Sequence, residues 1–249
     1  GWRRWGPDVL HRLNGMFALV EVDTVNGRIM LARDRAGEKP LFYQTHEGAL
    51  HVASEVKALP DLTRTQPCAE VDLLEFDCLE TTPFAGVHRL LPGHRVIPDG
   101  VTSLANPVQE RWWSMPLDVD YGMTRMDAVD RTEELLVDAV RIRAEAAVPI
   151  TTLVSGGLDS AIIQAIAPVP IVYTCIFDEL GFTTVESVRL AAPEAEVIAV
   201  TFGLDDSVAE LDKIAYHLDT PATWTALAEW FLAKRMAEDG IRVVLTGEG

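Results

Sequence analysis

The stretch from Val148 to Ser160, VPITTLVSGGLDS, limits what this chain can fold into more than any other. Ile150 to Val154 is a short, partly β-branched apolar run of the kind that forms a buried parallel strand. The run breaks at Ser155-Gly156-Gly157. Asp159-Ser160 then opens a helical segment through Ile166 that Pro168 stops. A strand, a two-glycine turn and a helix N-terminus together build an anion site. The glycines allow close backbone approach, and the first N–H groups of the helix have no partner inside it. Ser155 and Ser160 add hydroxyl donors. Asp159 would repel a bare phosphate, but a carboxylate there suits Mg²⁺ carried on a polyphosphate.

Two commoner phosphate loops are excluded. The chain contains no GxxxxGK followed by Ser or Thr, and no GxGxxG follows a strand pattern. The chain around and beyond the loop alternates: strand 149–154, helix 160–166, strand 171–177, helix about 183–192, strand 196–202, helices about 207–218 and 223–239, and strand 241–246. Such alternation predicts an α/β domain, a parallel sheet with helices on both faces. Upstream, Thr124-x-x-Asp127 is a capping box with Asp in place of Glu, opening an amphipathic helix with apolar positions 126, 129, 136 and 140.

The first hundred residues have a different pattern and predict antiparallel β structure. GMFALVEVD (15–23) alternates and is followed by Asn26-Gly27 and Arg28–Ala32, a strong hairpin signal. A second strand pair flanks Glu47-Gly48, a short helix begins at Ser54, and another is expected at Val71–Leu79. The Pro- and Trp-bearing segment 105–123 reads as a linker, giving domains 1–104 and 124–249. The fold class expected is therefore α+β followed by α/β.

Charge and cysteine usage narrow the partners. The chain of 249 residues carries a net charge of −17, most of it in its second half. That argues against nucleic acid, whose phosphates need Lys and Arg. No apolar run approaches the roughly 18 residues of a bilayer span, and GWRRWGPDVL has no signal-peptide apolar core. Cys68, Cys78 and Cys175 show no CxxC spacing, and the six histidines make no HxxxH pair, so a zinc site is not expected. A reduced, cytoplasmic protein is.

SGGLDS resembles the pyrophosphate loop of the N-type ATP pyrophosphatases. Taken with RDRAGEKPLFY and ASEVKAL in the first domain, PFAGVHRLLPGH (83–94), and LTGEG (245–249), it resembles the glutamine-dependent asparagine synthetases. That resemblance implies a class II glutaminase domain of the Ntn type, partial here, followed by a partial ATP-pyrophosphatase domain, and covers nearly the whole chain. It implies that Asp34 binds the α-ammonium of glutamine. Leu153, Ser155, Gly156, Gly157, Asp159, Ser160, Ile176, Thr246 and Gly247 would form the ATP site, with Asp159 holding Mg²⁺. Glu248 would be the acidic residue of acyl-adenylate formation. ATP and Mg²⁺ are the implied cofactors, glutamine and aspartate or a related carboxylate the substrates. A homodimer is left open.

The sequence also departs from that family. Residue 1 is Gly, whereas the class II nucleophile is an N-terminal cysteine, and no cysteine here stands in its place. The family's second acidic Mg²⁺ ligand is expected beyond Gly249. Segment 178–196 has no clear counterpart to the family's histidine-bearing stretch. The resemblance extends to carbapenam-synthetase-like cyclases, and a degenerate nucleotide-binding member without activity is the other alternative.

Overall fold

The computed structural model describes residues 1–60, 80–98, 107–177, 185–219 and 223–247. The expected helix at Val71–Leu79, Cys68, Cys78 and Glu248 lie outside them. Two compact units divide the chain, the first spanning 1–118 and the second lying within 119–249. Among the described residues no helix is long and apolar enough to cross a membrane.

The first unit contains two antiparallel sheets. After a short helix, α1 (Trp2–Trp5), and a 3-10 turn, strands β1 (Ala18–Asp23) and β2 (Arg28–Arg33) pair with Asp23 opposite Arg28. The Asn-Gly closes a four-residue loop. The Asp23 carboxylate holds that loop by accepting from the N–H groups of Val25 (3.0 Å) and Asn26 (3.1 Å). β3 (Phe42–His46) and β4 (Ala49–Ala53) are joined by Glu47 and Gly48, both at positive φ (50° and 77°), the geometry of a tight two-residue hairpin turn. With β5 (Val87–Arg89), β6 (His94–Val96) and β7 (Gln109–Arg111) the sheets order as β1-β2-β6-β7 and β4-β3-β5. Leu31 and Val96 of one sheet share a core with Tyr43 of the other.

The second unit opens with α2 (Arg125–Ala144), and its capping box is formed in both directions: the Asp127 N–H donates to Thr124 Oγ1, and the Thr124 N–H donates to the Asp127 carboxylate. Only Val140 of this helix is buried; Met126, Val129 and Leu136 are exposed. Four parallel strands follow, β8 (Ile150–Leu153), β9 (Ile171–Phe177), β10 (Glu196–Phe202) and β11 (Val243–Leu245), in the order β10-β9-β8-β11. α3 (Leu158–Ile166), α4 (Val185–Ala191), α5 (Leu204–Leu218) and α6 (Trp224–Glu238) connect them. Alternation along β9 serves both faces: Val172 packs with Val188 of α4, and Tyr173 packs with Leu232 and Met236 of α6.

The starts of α5 and β11 differ from expectation for local reasons. α5 starts at Leu204, because the Asp206 carboxylate accepts from the Gly203 N–H (3.0 Å) and Ser207 Oγ donates to the Gly203 carbonyl (2.8 Å). β11 starts only at Val243, because the Ile241 N–H is committed to the Met236 carbonyl at the end of α6 (2.9 Å).

Candidate functional site

The strand order contains its own binding crevice. From β8 the chain steps outward to β9 and β10, then returns past them to place β11 on the other side of β8. An open parallel sheet binds ligands at the C-terminal strand ends where the order reverses, here between β8 and β11. SGGLDS follows β8, and Thr246-Gly247 follow β11.

The loop is held by its own serines. Ser160, 6% exposed, donates to the Gly157 carbonyl (3.2 Å), and its oxygen accepts from the Ser155 N–H (3.3 Å). Ser155 Oγ accepts in turn from the Gly157 N–H (3.3 Å). The helix begins earlier than the Asp159-Ser160 expected, at Leu158, with Gly157 as its cap and no side chain on the first-turn N–H groups. A cap without a side chain leaves those donors for a ligand, and the positive end of the helix favours an anion.

Two glycines are required by contact. Gly156 has φ +81°, and a Cβ there would fall 2.6 Å from Ser187 Oγ of α4 and 2.9 Å from Ser187 Cβ. A Cβ on Gly247 would fall 2.8 Å from the Ser160 nitrogen and 2.9 Å from the Asp159 carbonyl carbon. The segment after β11 therefore lies directly on the first turn of α3.

A cavity of about 330 Å³ opens at this junction. That lies within the size range of small-molecule sites. Of the residues the sequence singled out, Leu153, Ser155, Gly157, Asp159, Ser160, Thr246 and Gly247 line it. Gly156 is not in the lining; it sits beneath the loop against Ser187. Ile176 is half-buried and is not in the lining either, whereas Thr174 and Cys175 are. Burial pushes the Cys175 thiol pKa up, which keeps it protonated and apolar in character. Glu248 lies outside the described residues.

Sequence reasoning missed the outer wall. Thr225, Ala228, Glu229 and Leu232 of α6 line the cavity at the i, i+3, i+4, i+7 spacing of one helix face. That spacing was readable in the helix preceding the last strand. The lower half of α6 is anchored at Asp239, which accepts from Tyr173 Oη (2.7 Å) and Arg235 Nε (2.8 Å). These bonds hold the Asp239 carboxyl below its ordinary range, the one from Tyr173 contributing most. Burial, and then the bond to Asp239, push the Tyr173 hydroxyl up to about 12.

Asp34 belongs to the first unit and is 1% exposed. Its Oδ1 accepts from the Glu38 N–H (3.0 Å), and its Oδ2 from the N–H groups of Phe17 (3.2 Å) and Lys39 (3.1 Å). Arg33 braces the same turn, donating to the carbonyls of Lys39 (2.7 Å) and Leu90 (2.9 Å). The carboxylate thus orders the 34–39 loop, and one of its roughly four acceptor positions is left.

Mg²⁺ needs hard oxygen ligands and takes one or two carboxylates plus phosphate oxygens. Asp159 beside Ser155 and Ser160 fits that chemistry. Among the described residues no group of three or more His, Cys, Asp or Glu could hold a metal by itself.

Comparison with known proteins matches residues 1–113 to the glutamine amidotransferase domain family and residues 131–249 to the asparagine synthase family. A Mycobacterium tuberculosis protein provisionally named a glutamine-hydrolysing asparagine synthetase is 35% identical over all of this chain and 40% of its own length. The Bacillus subtilis asparagine synthetase (glutamine-hydrolysing) 1 is 26% identical, and the Penicillium rubens amidase chyE 28%, each over the whole chain and 40% of the relative. The chain thus spans about 40% of the length of the curated relatives it matches.

Proposed function

We propose, from the premise that the chain belongs to the glutamine-hydrolysing asparagine synthetase family, that its protein makes a carboxamide from a carboxylate, ATP and glutamine-derived ammonia. The observation that carries this reading is the convergence of the SGGLDS loop and Thr246-Gly247 on one cavity at the switch point of the parallel sheet.

In this reading the Ser155 and Ser160 hydroxyls and the first-turn N–H groups of α3 bind the β and γ phosphates of ATP. Asp159 would hold Mg²⁺, which neutralises charge on the polyphosphate as the pyrophosphate leaves. Leu153 and, near the end of β9, Cys175 would face the base, in place of the Ile176 that the sequence pointed to. Thr246 and Gly247 would hold the α-phosphate side, next to Glu248. The acceptor carboxylate, aspartate for an asparagine synthetase, attacks the α-phosphorus. The α–β bond breaks, pyrophosphate leaves, and an acyl-adenylate remains. Ammonia then attacks the acyl carbon and AMP departs with the bond electrons. The chain's contribution is chiefly positioning and preset electrostatics. In the first unit, Asp34 would offer its remaining acceptor position to the ammonium of glutamine.

In a second reading the acceptor is a carboxylate other than aspartate, as in the cyclases whose loop SGGLDS also resembles. Equilibrium binding of MgATP to the 249-residue chain tests the nucleotide site. Binding is expected, with at least tenfold loss in Gly247→Ala, whose Cβ would occupy the space against Ser160. No binding, or equal binding by the variant, would sink the assignment. Isotope exchange between pyrophosphate and ATP in the full-length protein, driven by aspartate or by other carboxylates, separates the two acceptors.

A further inference from the structure

The second unit carries an apolar groove away from the nucleotide cavity. Of the 20 residues of α2 only Val140 is buried, while Met126, Val129 and Leu136 are exposed, Leu136 at 41%. A helix in a protein owes most of its stability to the packing of its apolar face, and here that face is left largely in water. Val129 and Leu136, with Ile162 and Ile166 of α3, line a groove of about 540 Å³, and Arg125 and Glu133 add charge to its lining. Between Arg125 and Leu136 it runs about 17 Å, roughly three helical turns. Two helices side by side in this way offer a seat for the ridge of a third.

We infer that this groove seats an amphipathic helix of the same polypeptide, drawn from the residues that follow Gly249 in the full-length protein. The curated relatives match this chain over only 40% of their own length, so most of such a polypeptide lies outside these residues. Residues following Gly249 are tethered to the unit that owns the groove, whereas residues preceding Gly1 are attached to the first unit. A tether holds its segment at an effective concentration on the order of millimolar. A second copy has no such advantage and brings a net charge of −17 against an equal charge. The lining sets the occupant's chemistry. Apolar side chains at helical spacing would face Val129, Leu136, Ile162 and Ile166, a basic residue Glu133, and an acidic one Arg125, about 12 Å further along α2.

The experiment compares maleimide labelling of Leu136→Cys, inside the groove, with that of Leu135→Cys, its exposed neighbour outside the lining. Both variants are made in the full-length protein and in the 249-residue chain, and labelling is read peptide by peptide, apart from Cys68, Cys78 and Cys175. In the 249-residue chain the two positions are expected to label at similar rates. In the full-length protein position 136 should label at least roughly tenfold more slowly than position 135, at every protein concentration. Leu136→Glu gives a second readout. It should melt within about 2 °C of the parent in the 249-residue chain and roughly 6–12 °C lower in the full-length protein, where it would bury an unpaired charge. Equal labelling of the two positions in the full-length protein overturns the inference. So does protection that grows with protein concentration, which makes a second copy the occupant, or protection that survives removal of the residues after Gly249. A melting shift of the same size in both proteins overturns it as well.

Discussion

Gly156→Ala tests whether the loop is shaped by backbone conformation and close contact. Alanine at φ +81° incurs the left-handed penalty of about 1–2 kcal/mol. Its Cβ also falls 2.6 Å from Ser187 Oγ and 2.9 Å from Ser187 Cβ, and overpacking of that kind costs about 1–3 kcal/mol. The Cβ of Ser187 and its carbonyl carbon (3.1 Å) move only with α4, so most of the overlap persists. The sum, about 3 kcal/mol, corresponds to a drop of roughly 12 °C in the melting of the second unit at about 4 °C per kcal/mol. Any relief by loop movement displaces Ser155 and Gly157 on either side, so MgATP affinity should fall with stability. Thermal denaturation and titration calorimetry on the same sample read both. Adding Ser187→Gly removes the side-chain overlap but not the φ penalty, so the double variant should recover about half of the loss, less about 1 kcal/mol for glycine in a helix. A Gly156→Ala protein that melts and binds MgATP like the parent would refute the reasoning.

Two further outcomes are expected. Asp34→Asn places an N–H₂ where Asp34 accepts backbone N–H groups, so at least one donor loses its acceptor; the first unit should lose about 1–3 kcal/mol in urea denaturation. An unchanged midpoint would mean the three bonds do not order the loop. Tyr173→Phe should flatten both pH limbs of stability. The Tyr173 hydroxyl is raised in the fold, so its contribution is complete below about pH 10 and is lost as pH rises towards 12. The Asp239 carboxyl is lowered, so its contribution is present above its ordinary range near pH 4 and is lost as pH falls through the depressed value. Removing the hydroxyl abolishes the first and weakens the second. Limbs identical to the parent's would contradict the Tyr173–Asp239–Arg235 arrangement.

How much of the fold and site was legible in the sequence depended on how local each signal is. β9 and β10 fall at 171–177 and 196–202 as expected, because both are short runs rich in apolar and β-branched residues, with Pro170 before one and Gly203 after the other. The loop was legible because glycine, serine and aspartate at fixed spacing carry their own conformational and chemical meaning. The sequence pointed to Ile176, whereas Cys175 beside it lines the cavity. Neighbouring strand residues point to opposite faces, and which face holds the cavity depends on where α6 packs. The spacing of the α6 wall was readable, but it is that of any helix against a sheet and did not mark a cavity. Asp34 was recognisable as a carboxylate in a polar turn, but its donors come from Phe17 and from Glu38-Lys39, and only the folded hairpin brings these together.

The uncovered stripe on α2 has a consequence for the chain's behaviour as a colloid. Val129 and Leu136 of α2, with Ile162 and Ile166 of α3, line an apolar groove on a molecule of net charge −17. At low ionic strength mutual repulsion extends tens of ångströms and keeps such grooves apart. At physiological salt the screening length shortens to about 8 Å, and contact attraction between grooves is opposed only at short range. The second virial coefficient of the purified chain should therefore pass from positive to negative as salt rises. Leu136→Glu, which places a charge in the groove, should keep it positive.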